Sequence, residues 1–210
     1  MKLENLKTKI LAKNTIYYLQ IDSTQDEIWR LVKNKNIKNG TLVIADIQTA
    51  GKGTHGRIWR TDETDNIAFS FFLKLNCKIE KLNGITIEIA EIIVKIFREK
   101  YKINLEIKKP NDIMFKNKKV GGILTQTKIK GEYAKCIVVG IGINTNKTNF
   151  TEDIKDIATS IKKEFNIKID SKEFIAEFCN KFEKEIYNEN RFFISRSRLS
   201  ECRNGKRYIW

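Results

Sequence analysis

The stretch AGKGTHGR, residues 50–57, joins three glycines to basic side chains and is suited to holding a phosphate group. Gly51, Gly53 and Gly56 fit the G-x-G-x-x-G spacing of dinucleotide-binding turns, and the first and last of them fit half of a P-loop. A dinucleotide turn needs a helix directly after its glycines, whereas RIWRTDETDN follows without a helical apolar period. A P-loop needs Lys and then Ser or Thr where this chain has Arg and Ile. Both patterns are excluded, which leaves a flexible loop that can close over an anion, or a plain solvated connection between strands.

The segments around this loop carry strand and helix patterns in irregular alternation. β-branched content predicts strands at Thr41–Gln48 and Ile67–Leu75, and shorter ones in INLEIKK, DIMFK, KVGGILTQTK and AKCIVVGIGI. Helical spacing of apolar residues predicts helices at Asp22–Asn34, Leu82–Tyr101, Thr151–Phe165 and Ser171–Asn188. Ser23 or Thr24 is predicted to cap the first helix, with Asp26 or Glu27 as the reciprocal partner. This order predicts an α+β domain with a mixed, mostly antiparallel sheet flanked by helices.

Composition limits the class of protein and its partners. The 210 residues suit one domain, and no apolar run is long enough to span a bilayer or to act as a signal peptide, so we expect a cytoplasmic protein without membrane contact. One histidine and four scattered cysteines without a C-x-x-C pair predict reduced thiols, not disulfides or a zinc site. The net charge of +14 fits nucleic acid, an acidic protein or a phosphorylated ligand, or a lysine-rich composition without functional meaning.

Four motifs follow one another along the chain: IDSTQ (21–25), ADIQTAGKGTHGRIW (45–59), KKPNDIMFKNKKVGGIL (108–124) and VVGIGINTN (138–146). Together they resemble the catalytic domain of biotin protein ligases over about residues 17–146. The resemblance implies a catalytic domain of the biotin/lipoate ligase type, which we place at residues 1–194. It also implies that biotin and Mg-ATP form biotinyl-5′-AMP, and that the biotinyl group then passes to a lysine of a carboxylase carrier domain. The alternatives are a lipoate–protein ligase of the same superfamily and, in a different class, a basic nucleic-acid-binding module.

The resemblance assigns roles to individual side chains. Biotin contacts are implied for a set of polar, basic and glycine residues: Ser23, Thr24, Gln25, Gln48, Gly51, Lys52, Gly53, Thr54, Lys119 and Gly122. ATP or adenylate contacts are implied for Lys52, His55, Arg57, Trp59, Asn111, Asp112 and Asn144. The implied catalytic cations are Lys119, Arg57 and Lys52, because a carboxylate and an α-phosphate meet only where positive charge and N–H donors offset their repulsion. The implied Mg²⁺ ligand is Asp112, and the glycine loop is expected to order over the adenylate.

The chain departs from the family pattern in four respects. Lys52 and Thr54 stand where arginine is frequent, which predicts weaker retention of the adenylate. Lys109 replaces an aromatic residue before PND. Too few residues precede Tyr17 for a helix-turn-helix, so no binding to DNA is expected, and residues 195–210 are too few for the small β-barrel of related ligases and are expected to form a short tail. The sequence indicates neither the acceptor protein nor the oligomeric state.

Overall fold

The central feature of the fold is one mixed β-sheet. The computed structural model describes residues 3–61, 66–187 and 207–208, the last two by their backbone. Its strands are β1 (Asn14–Ile21), β2 (Thr41–Gln48), β3 (Ile67–Lys78), β4 (Glu106–Lys108), β5 (Asp112–Phe115), β6 (Lys118–Lys130), β7 (Tyr133–Ile143) and β8 (Arg207–Tyr208). They lie in the order β1-β2-β3-β7-β6-β5-β4, with β8 beside β6. Within the described chain β1 and β2 run parallel and the other pairs run antiparallel, which confirms the predicted mixed, mostly antiparallel sheet.

Helices cover both faces of this sheet. They are α1 (Thr24–Lys33), α2 (Ile85–Tyr101), α3 (Ile161–Phe165) and α4 (Ser171–Phe182). Side chains of β3 alternate between the two faces, as the period of two in a strand requires. Phe69 and Phe71 belong to the larger core with α2 and α4, whereas Phe72 joins Ile28 and Trp29 of α1 in a smaller core. The predicted α+β class is therefore confirmed.

The start of helix α1 follows the sequence prediction in one respect and departs from it in another. Ser23 caps the helix, because its side chain accepts the Asp26 N–H at 3.3 Å. The predicted reciprocal bond is wrong: the Ser23 N–H donates to Asp22 Oδ1 at 2.7 Å, and not to Asp26 or Glu27. The carboxylate of the residue directly before Ser23 takes this bond instead.

Two other segments differ from the sequence predictions. The helix predicted over Thr151–Phe165 is wrong except for its last part, Ile161–Phe165. The residues before α3 use their backbone groups to bind the sheet: the Lys119 N–H donates to the Ile157 carbonyl, and the Thr159 N–H donates to the Lys119 carbonyl. Strand β1 has no counterpart in the sequence predictions, because NTIYYLQI lies at the sheet edge and lacks a regular apolar alternation.

The remaining helix ends shift by a few residues. Helix α2 begins at Ile85 instead of Leu82, after a 3₁₀ turn at Ile79–Leu82. Helix α4 ends at Phe182 and continues as a π-helical turn, Glu183–Tyr187. The predicted end at residue 188 lies outside the described residues.

The predicted tail, residues 195–210, is described only at Arg207–Tyr208, where the backbone pairs antiparallel with Gln126 and Thr127 of β6. No helix in the described part of the chain is both long and apolar enough to cross a membrane. The three described cysteines are buried and form no disulfide, and Cys202 lies outside the described residues.

One buried carboxylate ties the N-terminal segment to the last helical turn. Glu183 is 3% exposed, and its two oxygens accept the backbone N–H groups of Lys9, Ile10 and Leu11, the last two at 3.0 and 2.8 Å. A carboxylate that accepts several N–H bonds leaves several donors unsatisfied when it is removed.

We expect Glu183→Ala to lower the free energy of unfolding by about 3 kcal/mol, because three donors lose a charged acceptor together. The matched control is Glu185→Ala, which removes a partly exposed partner of Lys95 and should change stability by less than about 1 kcal/mol. Urea unfolding of both variants measures the difference. Equal losses in the two variants would contradict the role assigned to Glu183.

Candidate active site

The glycine-rich stretch forms a closed arch after β2. Lys52 and Ile58 form an antiparallel bridge, and the Trp59 N–H donates to the Gly51 carbonyl at 2.8 Å. A side chain at position 51 would meet the Trp59 carbonyl oxygen at 2.3 Å, so the arch closes only with glycine there. A three-residue 3₁₀ turn, Thr54–Gly56, lies within the arch, and no long helix follows its glycines in the described chain, which agrees with the exclusion of a dinucleotide turn and a P-loop.

The base of the arch is fixed to the start of helix α1. The Ala50 N–H donates to the Asp22 carbonyl at 2.8 Å, and the Asp22 carboxylate accepts two bonds of 2.7 Å from Arg30. These bonds to the guanidinium lower the pKa of Asp22 to about 2. Because the pKa of this carboxyl is lower in the folded protein, the ionised Asp22 stabilises the fold at pH values above the ordinary carboxyl pKa. This contribution is lost as the pH falls towards the lowered pKa.

An inner cavity lies between the arch, the start of α1 and the middle of β3, β6 and β7. Its volume is about 40 Å³, room for a few waters. It is lined by eighteen residues, of which these carry polar groups or belong to the predicted site: Ser23, Thr24, Gln25, Gln48, Lys52, Gly53, Thr54, Trp59, Ser70, Asn111, Lys119 and Gly122. A space this small admits no ligand of the size of a vitamin unless the arch shifts.

A buried network of side chains forms one wall of the inner cavity. Gln48 Oε1 accepts from the Thr24 N–H at 2.9 Å and from the Thr24 hydroxyl at 3.0 Å. The same hydroxyl lies 2.8 Å from Ser70 Oγ, and Gln48 Nε2 donates to Thr61 Oγ1 at 3.2 Å. Thr24 and Ser70 have hydroxyls that rotate to donate or to accept, so this wall can rearrange its bonds around a polar ring.

A larger outer cavity of about 520 Å³ also borders the arch. Its lining is partly apolar and partly basic: Gly53, Thr54, Gly56, Arg57, Ile58, Trp59, Arg60, Lys119, Asn144, Lys147, Phe150, Asp153, Ile154, Ile157 and Ala158. Pockets of this volume suit a nucleotide-sized ligand. Apolar walls beside cations fit a molecule with a flat ring at one end and phosphates at the other.

Both cavities share four residues: Gly53, Thr54, Trp59 and Lys119. The Lys119 ammonium lies 2.6 Å from Asp112 Oδ1 and 5.8 Å from the centre of the Trp59 ring. The Trp59 ring lies against Gly142, and its Nε1 is buried without a hydrogen-bond partner among the described residues. A cation and an N–H donor therefore stand where the two cavities meet.

Other residues assigned by resemblance hold the site together. Arg57 donates to Thr54 Oγ1 at 2.9 Å, so Thr54 positions the arginine three residues later. The Asn111 side chain donates to the Ile123 carbonyl at 3.1 Å, and that of Asn144 donates to the Thr159 carbonyl at 3.2 Å. An amide held by its nitrogen presents its oxygen as an acceptor.

Three assigned residues line neither cavity: Gly51, His55 and Asp112. Gly51 closes the arch, His55 is exposed on it, and Asp112 reaches the junction through its ion pair with Lys119. Lys52 lines the inner cavity, but its ammonium lies 3.1 Å from Asp26 on helix α1. The assigned contacts of these residues stay predictions.

Two buried polar residues at the cavities have no sequence prediction. Ser70 reaches the inner wall from the middle of the apolar run IAFSFFLKL, and a lone hydroxyl there is the one signal that could have indicated it. Lys147 lines the outer cavity although it is only 4% exposed. Nothing distinguishes this lysine from the others in so basic a chain.

The comparisons with known proteins agree with this geometry. A sequence model described as the Biotin/lipoate A/B protein ligase family matches residues 17–144, more than half of the chain. The chain belongs to this family. The matched residues include the arch, all the residues that line the inner cavity, and part of the lining of the outer cavity with Lys119 and Asn144. The match confirms the family resemblance seen in the sequence.

Individual family members are similar over most of this chain. The bifunctional ligase/repressor BirA of Bacillus subtilis is 36% identical over 181 residues, which are 85% of this chain and 55% of that protein. The human biotin–protein ligase is 28% identical over 172 residues, 79% of this chain and 24% of that protein. A biotin protein ligase from Aquifex aeolicus, solved in complex with biotin and ATP, superposes with a TM-score of 0.65 at 31% identity, covering 84% of this chain and 75% of that one. The chain spans about half the length of BirA.

Proposed function

We propose that this chain is an ATP-dependent biotin–protein ligase, which activates biotin as biotinyl-5′-AMP and transfers it to a lysine of a carrier domain. One observation carries the proposal: a small polar cavity and a large, partly basic cavity meet at the Lys119 ammonium. We assign biotin to the inner cavity and ATP to the outer one. A relative at 31% identity has been solved with these two ligands together.

The polar wall of the inner cavity favours biotin over lipoate. The fused ring of biotin carries a urea group with two N–H donors and a carbonyl, whereas the dithiolane ring of lipoate has no N–H and no carbonyl. Gln25 Oε1 is buried without a hydrogen-bond partner among the described residues, so a ring without an N–H donor would leave this acceptor unsatisfied. A site built to hydrogen-bond its ligand rejects analogues that lack those groups.

The first chemical step joins the two ligands at the junction of the cavities. An oxygen of the biotin carboxylate attacks the α-phosphorus of ATP, the bond to the bridging oxygen breaks, and pyrophosphate leaves. Charge on the carboxylate and the phosphate must be offset where they approach each other. The Lys119 ammonium and the indole N–H of Trp59, both at the junction of the cavities, are the groups that we propose for this. Arg57, held by Thr54 on the wall of the outer cavity, is our second phosphate ligand, and Lys52 is the third once it leaves Asp26.

The residues present fit Mg²⁺ that arrives with ATP. The described chain has no cluster of three or more His, Cys, Asp or Glu side chains that could hold an ion by itself. Asp112 supplies one partly buried carboxylate beside the junction, and Mg²⁺ commonly takes one or two carboxylates together with substrate phosphates. Asp112 is thus the proposed ligand, and the ion would help to neutralise the triphosphate there.

The second step requires access for a protein lysine. Its amine attacks the carbonyl of the mixed anhydride, AMP leaves with the bonding electrons, and the amine loses a proton to solvent. The arch of residues 50–57 borders both cavities and would shield the anhydride from water until the acceptor arrives. We propose a carboxylase carrier domain as the acceptor and place the catalytic unit within residues 1–194. A net charge of +14 suits an acidic protein partner better than it suits a neutral one.

Calorimetric titration separates this function from its alternatives. Biotin should bind alone, ATP should bind more tightly after biotin, and lipoate should bind at least about 100-fold more weakly than biotin. Tighter binding of lipoate would identify a lipoate ligase instead. Binding of a DNA duplex at physiological salt, with no heat from biotin, would favour the nucleic-acid-binding module.

A further inference from the structure

Two residues outside the family motifs hold the side chain of Gln25. Gln126 Oε1, on β6, accepts from the Trp29 indole Nε1 at 2.6 Å and from Gln25 Nε2 at 3.1 Å. Gln25 Nε2 also lies 3.4 Å from the Val138 carbonyl, near the limit for a hydrogen bond. Gln25 and Gln126 are both buried, at 3% and 6% exposure. The three side chains therefore form one short relay from α1 to β6 and back to α1.

The chemistry of the indole fixes the direction of every bond in this relay. An indole N–H can only donate, so the Gln126 atom that faces Trp29 must be the oxygen. The same oxygen faces Gln25, so the Gln25 atom that faces it must be the NH₂ group. The other end of the Gln25 amide is then necessarily its oxygen. The assignment of these amides thus follows from one donor that has no alternative.

The Gln25 oxygen points at the inner cavity as an unused acceptor. Gln25 Oε1 is buried and has no hydrogen-bond partner among the described residues. It lies beside Gly140, where any Cβ would come within 2.7 Å of it, and both residues line the inner cavity. A buried acceptor without a partner is unfavourable, and a ligand that supplies an N–H removes that penalty.

We propose that Trp29 and Gln126 are positioning residues that determine which ring the inner cavity accepts, by holding Gln25 with its oxygen towards the ligand. This inference rests on the proposed function, because the N–H donor is assigned to the urea group of biotin. Neither Trp29 nor Gln126 lines the inner cavity, so both act on the ligand through Gln25. A reversed Gln25 would present NH₂ groups to the urea N–H groups and repel them.

The test compares biotin with its two analogues in which one ring N–H is replaced by oxygen, which adds no bulk. Wild-type protein should prefer biotin over one of these carbamates by on the order of 100-fold. Gln126→Met removes the acceptor, and Trp29→Phe removes the donor that fixes Gln126. Each should reduce the preference by about tenfold. Gln126→Glu is the matched control, because a carboxylate still accepts both bonds, and it should keep the preference.

Isothermal titration of biotin and both carbamates into each variant gives the preference as a ratio of dissociation constants. ATP affinity of the same samples verifies that each variant is folded, since the relay does not reach the outer cavity. Equal weakening of biotin and carbamates, with the ratio unchanged in Gln126→Met and Trp29→Phe, would show a purely structural role and overturn the inference. Wild-type protein that binds biotin without preferring it over the carbamates would overturn this inference but not the proposed function. Wild-type protein that binds no biotin would overturn both.

Discussion

Lys119→Ala is expected to slow formation of the adenylate by a factor on the order of 10²–10³, the usual effect of removing one oriented electrostatic donor. Lys119 is the one lysine whose ammonium, among the described residues, lines both cavities, and its side chain is 27% exposed. The variant loses charge where the carboxylate meets the α-phosphate, so the chemical step should suffer more than the binding of either ligand. Single-turnover conversion of labelled ATP, at saturating biotin, measures this rate.

The matched control is Lys118→Ala on the same strand. The Lys118 ammonium donates to the Lys155 carbonyl and lines neither cavity, so its removal should leave the rate within about threefold of wild type. Equal rates for Lys119→Ala and wild type would show that the catalytic cation is another residue, and Arg57 in the outer cavity would be the next candidate.

Gly142→Ala is expected to weaken both ligands together. A methyl group at this position would lie 2.3 Å from Trp59 Cε2 and 2.5 Å from its Nε1, so the ring must leave its place over β7. Trp59 lines both cavities, and displacement of a central aromatic contact commonly changes binding by about 2 kcal/mol or more, roughly 30-fold. Titration of biotin and ATP into the variant measures both losses.

A double-mutant cycle with Trp59→Ala supplies the control. If the methyl group acts only by displacing the ring, Gly142→Ala should add almost nothing in a protein that already lacks the ring. Additive losses from Gly142→Ala and Trp59→Ala would mean that the glycine is needed for another reason, such as strand pairing between β6 and β7.

The site could be predicted where local chemistry marks it. Glycines at close approaches, the Ser-Thr-Gln run at a helix start and the lysine before Val-Gly-Gly are visible in short stretches, and the structure brings them around two joined cavities. Residues that act across the sheet are not visible in this way. Gln25 and Gln126 are 101 positions apart, and Thr24 and Ser70 are 46 apart. Their contacts depend on strand register, which no short pattern encodes.

The secondary-structure predictions that were wrong also failed because of contacts between distant segments. Residues 151–160 have the composition of a helix, but their backbone binds Lys119 at the start of β6, and these tertiary bonds outweigh a weak local preference. The sequence does not predict strand β1, because this segment is held extended by its pairing with the parallel strand β2. Helix α1 lies between the two strands in the chain. Both cases show contacts between distant segments overriding local propensity.

The proposed function requires one chain to join biotin to the α-phosphate of ATP at Lys119. The most direct measurement incubates the protein with biotin, Mg²⁺ and ATP labelled at the α-phosphorus, and then adds a carrier domain with its acceptor lysine. We expect a labelled adenylate that requires biotin, is not formed with lipoate, and is consumed as AMP when the carrier becomes biotinylated. Labelled adenylate with lipoate and none with biotin, or no adenylate with either acid, would contradict the account.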